Sequence, residues 1–271
     1  MAIPGTYAFC TLITPPEGVT LDHLAHMLAG EGMSDVHSLM LHFARVPPMI
    51  IAQVDPALAA RCAAMIVELG GDAMVTTMEQ ITRLGGTMRV RDIRVHPGNI
   101  EFELWRGPTA MVPTSRIDVL VRAHDSQTHT SAPKPLTRAS ASMQVIRSGA
   151  GLSNIREKME SQKPQTKLVT KDWLDIHTTD GSVYQVDGDK FGFQVLGDMR
   201  TQGDRHNMDR LFEMLTHLAP NAVGDTYFRQ FKPPPGYKRL RLPEMRINME
   251  DASFAFYSRW AAIVYRHVMG G

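Results

Sequence analysis

The sequence predicts an α+β fold in three parts. These are a small β-α-α-β-α-β domain over residues 1–80, a split, roughly seven-stranded antiparallel β domain over 84–226 closed by one helix, and a linker with a C-terminal helix over 227–271. Three observations carry this reading. Short apolar runs alternate with helix-period segments in the first part, and Pro or Gly bounds each of them. Strand signals from Met88 to Val121 and from Leu168 to Leu196 are separated by a polar, basic insertion at 124–166. One amphipathic helix near Asp204–Ala219 follows the second strand run.

The elements of the first part follow in order. Tyr7 to Ile13 is a continuous apolar run, the pattern of a buried strand, and Pro15, Pro16 and Gly18 end it. Thr20 caps a helix with Leu21, Leu24, Ala25 and Leu28 on one face, and Gly30 and Gly32 close it. Ser34 or Asp35 caps the next helix, which carries Val36, Leu39, Met40 and Phe43 and stops at Pro47-Pro48. Met49–Val54 is a strand. Asp55-Pro56 starts a third helix that buries Leu58, Cys62, Met65, Ile66 and Leu69, and Gly70-Gly71 caps its end. Ala73–Thr76 is the last strand.

This order resembles the C-terminal domain of the bacterial ribosomal stalk protein. The matching features are Gly32-Met33 before the second helix, Pro47-Pro48, Ile50–Val54, an alanine-rich helix, and the closing Leu69-Gly70-Gly71-Asp72-Ala73. That family contacts translation factors through lysines on its paired helices. The corresponding segments here carry His37, His42 and Arg45 and no lysine, so the resemblance implies the fold and not that role.

In the second part, Met88–Val95 and the alternating Ile100–Trp105 flank the turn His96-Pro97-Gly98-Asn99. Ala110–Pro113 and Ile117–Val121 follow. Beyond the insertion come Trp173–Thr178, the Asp180-Gly181 hairpin signal, Val183–Val186, a tight turn at Asp187-Gly188-Asp189, and a strand at Phe191–Leu196. The closing helix spaces Met208, Leu211, Phe212, Leu215 and Leu218 along one face. Short strands closed by one helix make residues 84–226 similar to a divergent bacterial pleckstrin-homology-like domain. The resemblance implies a module that binds lipid headgroups, peptides or proteins.

Composition narrows the chemistry. A net charge of +1 gives no global attraction for nucleic acid or an anionic membrane, so any such binding needs a local patch. Cys10 and Cys62 are the only thiols, which excludes a cysteine-based zinc site, and both lie in apolar segments as small core hydrophobes of a reducing compartment. No signal peptide is visible and no segment is apolar enough to cross a membrane, so a cytoplasmic location is expected. No dinucleotide-binding, P-loop, nucleophile-elbow or HExxH pattern occurs. His23 and His26 are three apart on one helix, but His37 and His42 are five apart and do not share a face, so surface histidines are expected rather than a metal site. Asp187, Asp189, Asp198 and Asp204 read as turn formers. No catalytic residue, cofactor or metal is assigned.

The partner elements are the insertion and the two segments at the end of the chain. In the insertion, Leu152, Ile155 and Met159 stand at helical spacing as anchors for a protein partner. After Pro233-Pro234-Pro235-Gly236 comes a basic, aromatic-flanked stretch, with Lys232, Lys238, Arg239, Arg241 and Arg246 as candidate anion-binding residues for nucleic acid or an anionic membrane surface. On the final helix, Phe254, Tyr257, Trp260 and Val264 are candidate contacts for a partner or for self-association. A helix apolar over most of its circumference has to bury itself on its own body, on another chain or on a membrane surface. The expected function is a non-enzymatic cytoplasmic adaptor or assembly subunit. The alternative is a peripheral binder of anionic lipid or nucleic acid through 229–246.

Overall fold

A computed structural model of the chain describes residues 7–45, 47–131, 165–230 and 249–270. The fold is α+β. Contacts divide the chain into two compact units, one comprising Met1–His124 with Asp172–Gly271 and the other Asp125–Lys171. The small sheet, most of the large sheet and the last helix lie in the first of these units.

The first part has the expected order: β1 (Ala8–Thr14), α1 (Leu21–Gly30), α2 (Val36–Phe43), β2 (Met49–Val54), α3 (Pro56–Glu68) and β3 (Asp72–Thr77). The strands form an antiparallel sheet with β1 in the centre, where Cys10 pairs with Ala52 on one side and Val75 on the other. The local signals act as read. The Thr20 hydroxyl accepts the His23 amide at 3.2 Å, Asp35 accepts the Ser38 amide at 2.9 Å, and Asp55 accepts the Ala57 amide at 2.9 Å. Helix α3 ends in a Schellman turn, with Gly70 at φ 87°, its amide on Val67 O and the Gly71 amide on Ile66 O. Gly71 is required for a second reason, since a Cβ there would lie 2.9 Å from both Ile66 Cγ2 and Thr14 O. A short helix α4 (Met78–Arg83), closed by a Thr77–Gln80 capping box, follows β3 and was not anticipated.

The continuous apolar run of β1 is explained by burial on both faces. Ala8, Cys10 and Leu12 pack with α1, α2 and α3, while Phe9 turns the other way into a core that it shares with the last helix. Cys10 and Cys62 are free and buried. Burial pushes their thiols up to about 12 and about 11, so they behave as core hydrophobes.

The second part is one seven-stranded sheet in the order β10-β7-β8-β9-β4-β5-β6. Its strands are β4 (Thr87–His96), β5 (Asn99–Leu104), β6 (Ala110–Pro113), β7 (Ile117–Ser131), β8 (Gln165–Thr178), β9 (Val183–Asp187) and β10 (Val223–Asp225). Two features differ from expectation. The pairings β4–β9 and β10–β7 are parallel where an antiparallel domain was expected. Phe191–Leu196 is not a strand. Phe193 adopts φ 55° and starts a 3-10 turn over Gln194–Met199, which brings Leu196 into the same core as Phe191 and Phe193, whereas a strand would point it to the opposite face. The seventh strand is instead β10, which follows the helix α5 (Asp204–Leu218).

The sheet is covered on both faces. On one face α5 sets Met208, Leu211 and Leu215 against Phe102, Leu120, Leu174 and Ile176. On the other, the helix α6 (Met249–Gly270) sets Phe254, Tyr257, Trp260 and Val264 against Val119, Val121, Ala123 and Trp173, with Phe9, Ile50 and Ile81 of the small domain. This corrects the assignment of those four α6 residues to a partner. Each is at most 3% exposed within its own chain, so the apolar surface that made the helix look like an interface is already covered. The insertion boundaries also shift, because β7 continues to Ser131 and β8 begins at Gln165. Leu152, Ile155, Met159, Lys232, Lys238, Arg239, Arg241 and Arg246 lie outside the described residues.

Candidate functional site

The densest group of buried polar side chains lies between α6 and the large sheet. It follows from the period of two in β8. Leu174 and Ile176 point to the α5 side, so Trp173, Asp175 and His177 point to the α6 side. Helix α6 answers with a polar group at nearly every turn. The Tyr257 hydroxyl donates to both oxygens of Asp225 at 2.8 and 2.9 Å, and the Tyr265 hydroxyl donates to Asp225 Oδ2 at 2.7 Å. Burial, then the Asp225 charge, raises both phenols above the ordinary tyrosine range, so they stay protonated as donors. His177 Nε2 and Ser258 Oγ share a hydrogen bond of 2.7 Å. Trp260 Nε1 donates to Thr11 Oγ1 at 3.0 Å, Arg259 Nη2 to Gly85 O at 3.3 Å, and Arg266 grips Asp118 through Nε at 2.6 Å and Nη2 at 3.2 Å.

Within this group a serine, a histidine and an aspartate come together. In a hydrolytic triad, the carboxylate bonds Nδ1 of the histidine whose Nε2 serves the serine. Here the Nε2–serine bond exists, but Nδ1 of His177 has no hydrogen-bond partner among the described residues, and Asp175 instead accepts Gln185 Nε2 at 2.9 Å and a hydrogen bond from Ser258. Asp175, His177 and Ser258 are 1%, 0% and 0% exposed, so no substrate reaches the hydroxyl with α6 in place. The arrangement orients and holds a helix. It differs from the triad in that no carboxylate among the described residues orients the histidine through Nδ1.

A second cluster stands where β7, β8 and α5 meet. His124 Nδ1 bonds Asp172 Oδ1 at 2.7 Å, and Arg122 bridges Asp172 and Asp209. Gly188 permits the close approach of the β9 turn: its amide donates to Asp172 O at 2.8 Å, and a Cβ there would lie 3.1 Å from Asp172 Cβ. The His–Asp pair is a dyad of the kind that orients an imidazole. Arg122 also ties the strands to the helix through Asp209 and the Arg205 carbonyl.

The other sequence candidates fall into structural roles. His26 bonds the Asp22 carbonyl on its own helix, and buried His42 lies 3.2 Å from Arg45. Asp187 pairs with Lys190 at 2.9 Å and accepts the Phe191 amide within its turn. Among the described residues no group of three His, Cys, Asp or Glu side chains is placed to hold a metal ion. None of Asp118, Asp175, His177, Asp225, Ser258, Arg259 and Arg266 was singled out from the sequence. Polar residues at period two in β8 read as a solvent face. The available signal was Ser258, Arg259 and Arg266 on an otherwise apolar helix, which must meet partners once the helix is buried.

No protein-family model, curated protein or solved structure matches this chain.

Proposed function

We propose that this chain is a non-enzymatic cytoplasmic adaptor or assembly subunit that binds other proteins through its insertion, with α6 serving as an internal clamp. The observation that carries the reading is the division of the chain. The insertion falls within Asp125–Lys171, a compact unit separate from the rest of the chain. A separate unit inserted into a chain is a means of presenting a binding element, and Leu152, Ile155 and Met159 supply apolar anchors at helical spacing. The likeness of residues 84–226 to pleckstrin-homology-like domains belongs to the same proposal, and so does a binding role for the stalk-like first part. Fold by itself does not choose the partner.

The test is purification of the tagged full chain at low and high salt, beside a variant with Leu152, Ile155 and Met159 changed to Asp. A stoichiometric protein partner that survives high salt and is lost in the variant supports the proposal. Nucleic acid or lipid released by salt would overturn it in favour of the basic segment with Lys238, Arg239 and Arg241.

A further inference from the structure

We propose that the seat of α6 is an opposed proton latch, in which His177 favours release of the helix in acid and Asp175 holds the helix down. The inference does not depend on the partner reading above. It rests first on geometry. His177 is wholly buried, bonded to Ser258 of α6 through Nε2, and without a hydrogen-bond partner at Nδ1 among the described residues. The charged groups facing it are Arg259 and Arg266 from α6, with Asp118 from β7 already engaged by Arg266. From its own strand comes Asp175, which is held by the neutral donors Gln185 of β9 and Ser258 of α6, with the charge of Arg259 also acting on it.

A proton on the docked imidazole would add charge to a closed space that already holds two guanidinium groups. Burial, then Arg266 and Arg259, lowers His177 to about 3. Once α6 lifts, the ring meets water and returns to about 6.5, so protons bind the released state as pH falls below that value. Asp175 works in the opposite sense. Burial raises its carboxyl to about 6, against the pull of Ser258, Gln185 and Arg259. On release it returns to about 3.9, so between about pH 6 and pH 4 protons bind the docked state. The two responses overlap and nearly cancel in the native chain. Each becomes visible when the other is removed.

The experiment is hydrogen exchange on α6 amides of the full chain at pH 7 and pH 5, corrected for intrinsic exchange, with α5 amides as the reference for global opening. From pH 7 to pH 5 the α6 opening constant should change less than about threefold in the native chain, rise about tenfold or more in Asp175→Asn, and fall about tenfold in His177→Gln. Opposite signs in the two variants, with α5 unchanged, are the expected result. Equal signs, or α5 moving in step with α6, would overturn the latch. Should His177→Gln fail to fold, an NMR titration of the native ring decides the matter: a ring that stays neutral down to about pH 4 is required, and one titrating near 6.5 overturns the proposal.

Discussion

Replacing Trp260 tests whether α6 belongs to the core of its own chain. The indole is 1% exposed, lies 5.6 Å from the Tyr257 ring, and donates to Thr11, itself wholly buried on β1. Trp260→Ala removes the transfer free energy of the ring and leaves a cavity, together about 3–5 kcal/mol. It also leaves the Thr11 hydroxyl without its donor, at a further cost of about 1 kcal/mol. The sum approaches the whole stability of a marginal fold, about 5–15 kcal/mol. Trp260→Phe keeps most of the volume and loses the hydrogen bond, so about 1–2 kcal/mol is expected. Urea unfolding followed by circular dichroism measures both, with the midpoint read at constant slope. A loss below about 1 kcal/mol for Trp260→Ala would refute the cis docking of α6. The helix would then be free to meet a partner, as its sequence first suggested.

Further outcomes follow from the same contacts. Asp225→Asn puts an amide donor among the Tyr257 and Tyr265 hydroxyls and the Tyr227 amide, and should cost about 1–3 kcal/mol in the same assay. Gly188→Ala forces a Cβ against Asp172 and Met208 Cε, at 3.1 and 3.2 Å, and should lower the thermal midpoint, whereas Gly98→Ala is strained only through its φ of 71°. Burial, then Arg45, lowers His42 to about 4, so its contribution is complete above about 6.5 and is lost as pH falls toward 4. His42→Gln should therefore flatten the fall of the thermal midpoint across that window. Thiol reagents should leave Cys10 and Cys62 unmodified until the protein unfolds, and prompt labelling at neutral pH would contradict their burial.

The sequence alone determined what local signals can determine. Thr20, Asp35 and Asp55-Pro56 start helices and Gly70-Gly71 ends one, because caps are satisfied by residues within a few positions of each other. Alternation placed Ile100 and Phe102 on one face of β5 for the same reason. Tertiary structure decided everything that needs distant partners. It made β10 parallel to β7, turned Phe191–Leu196 into the core instead of a strand, and joined both sheets through α6. It also decided that Phe254, Tyr257, Trp260 and Val264 are interior. Periodicity reports that a face must be covered but not by what, and their cover is supplied by strands distant in sequence. The ionisable line beneath α6 was hidden for the same physical reason: Asp175 and His177 acquire their roles only when a helix carrying Ser258, Arg259 and Arg266 closes over them.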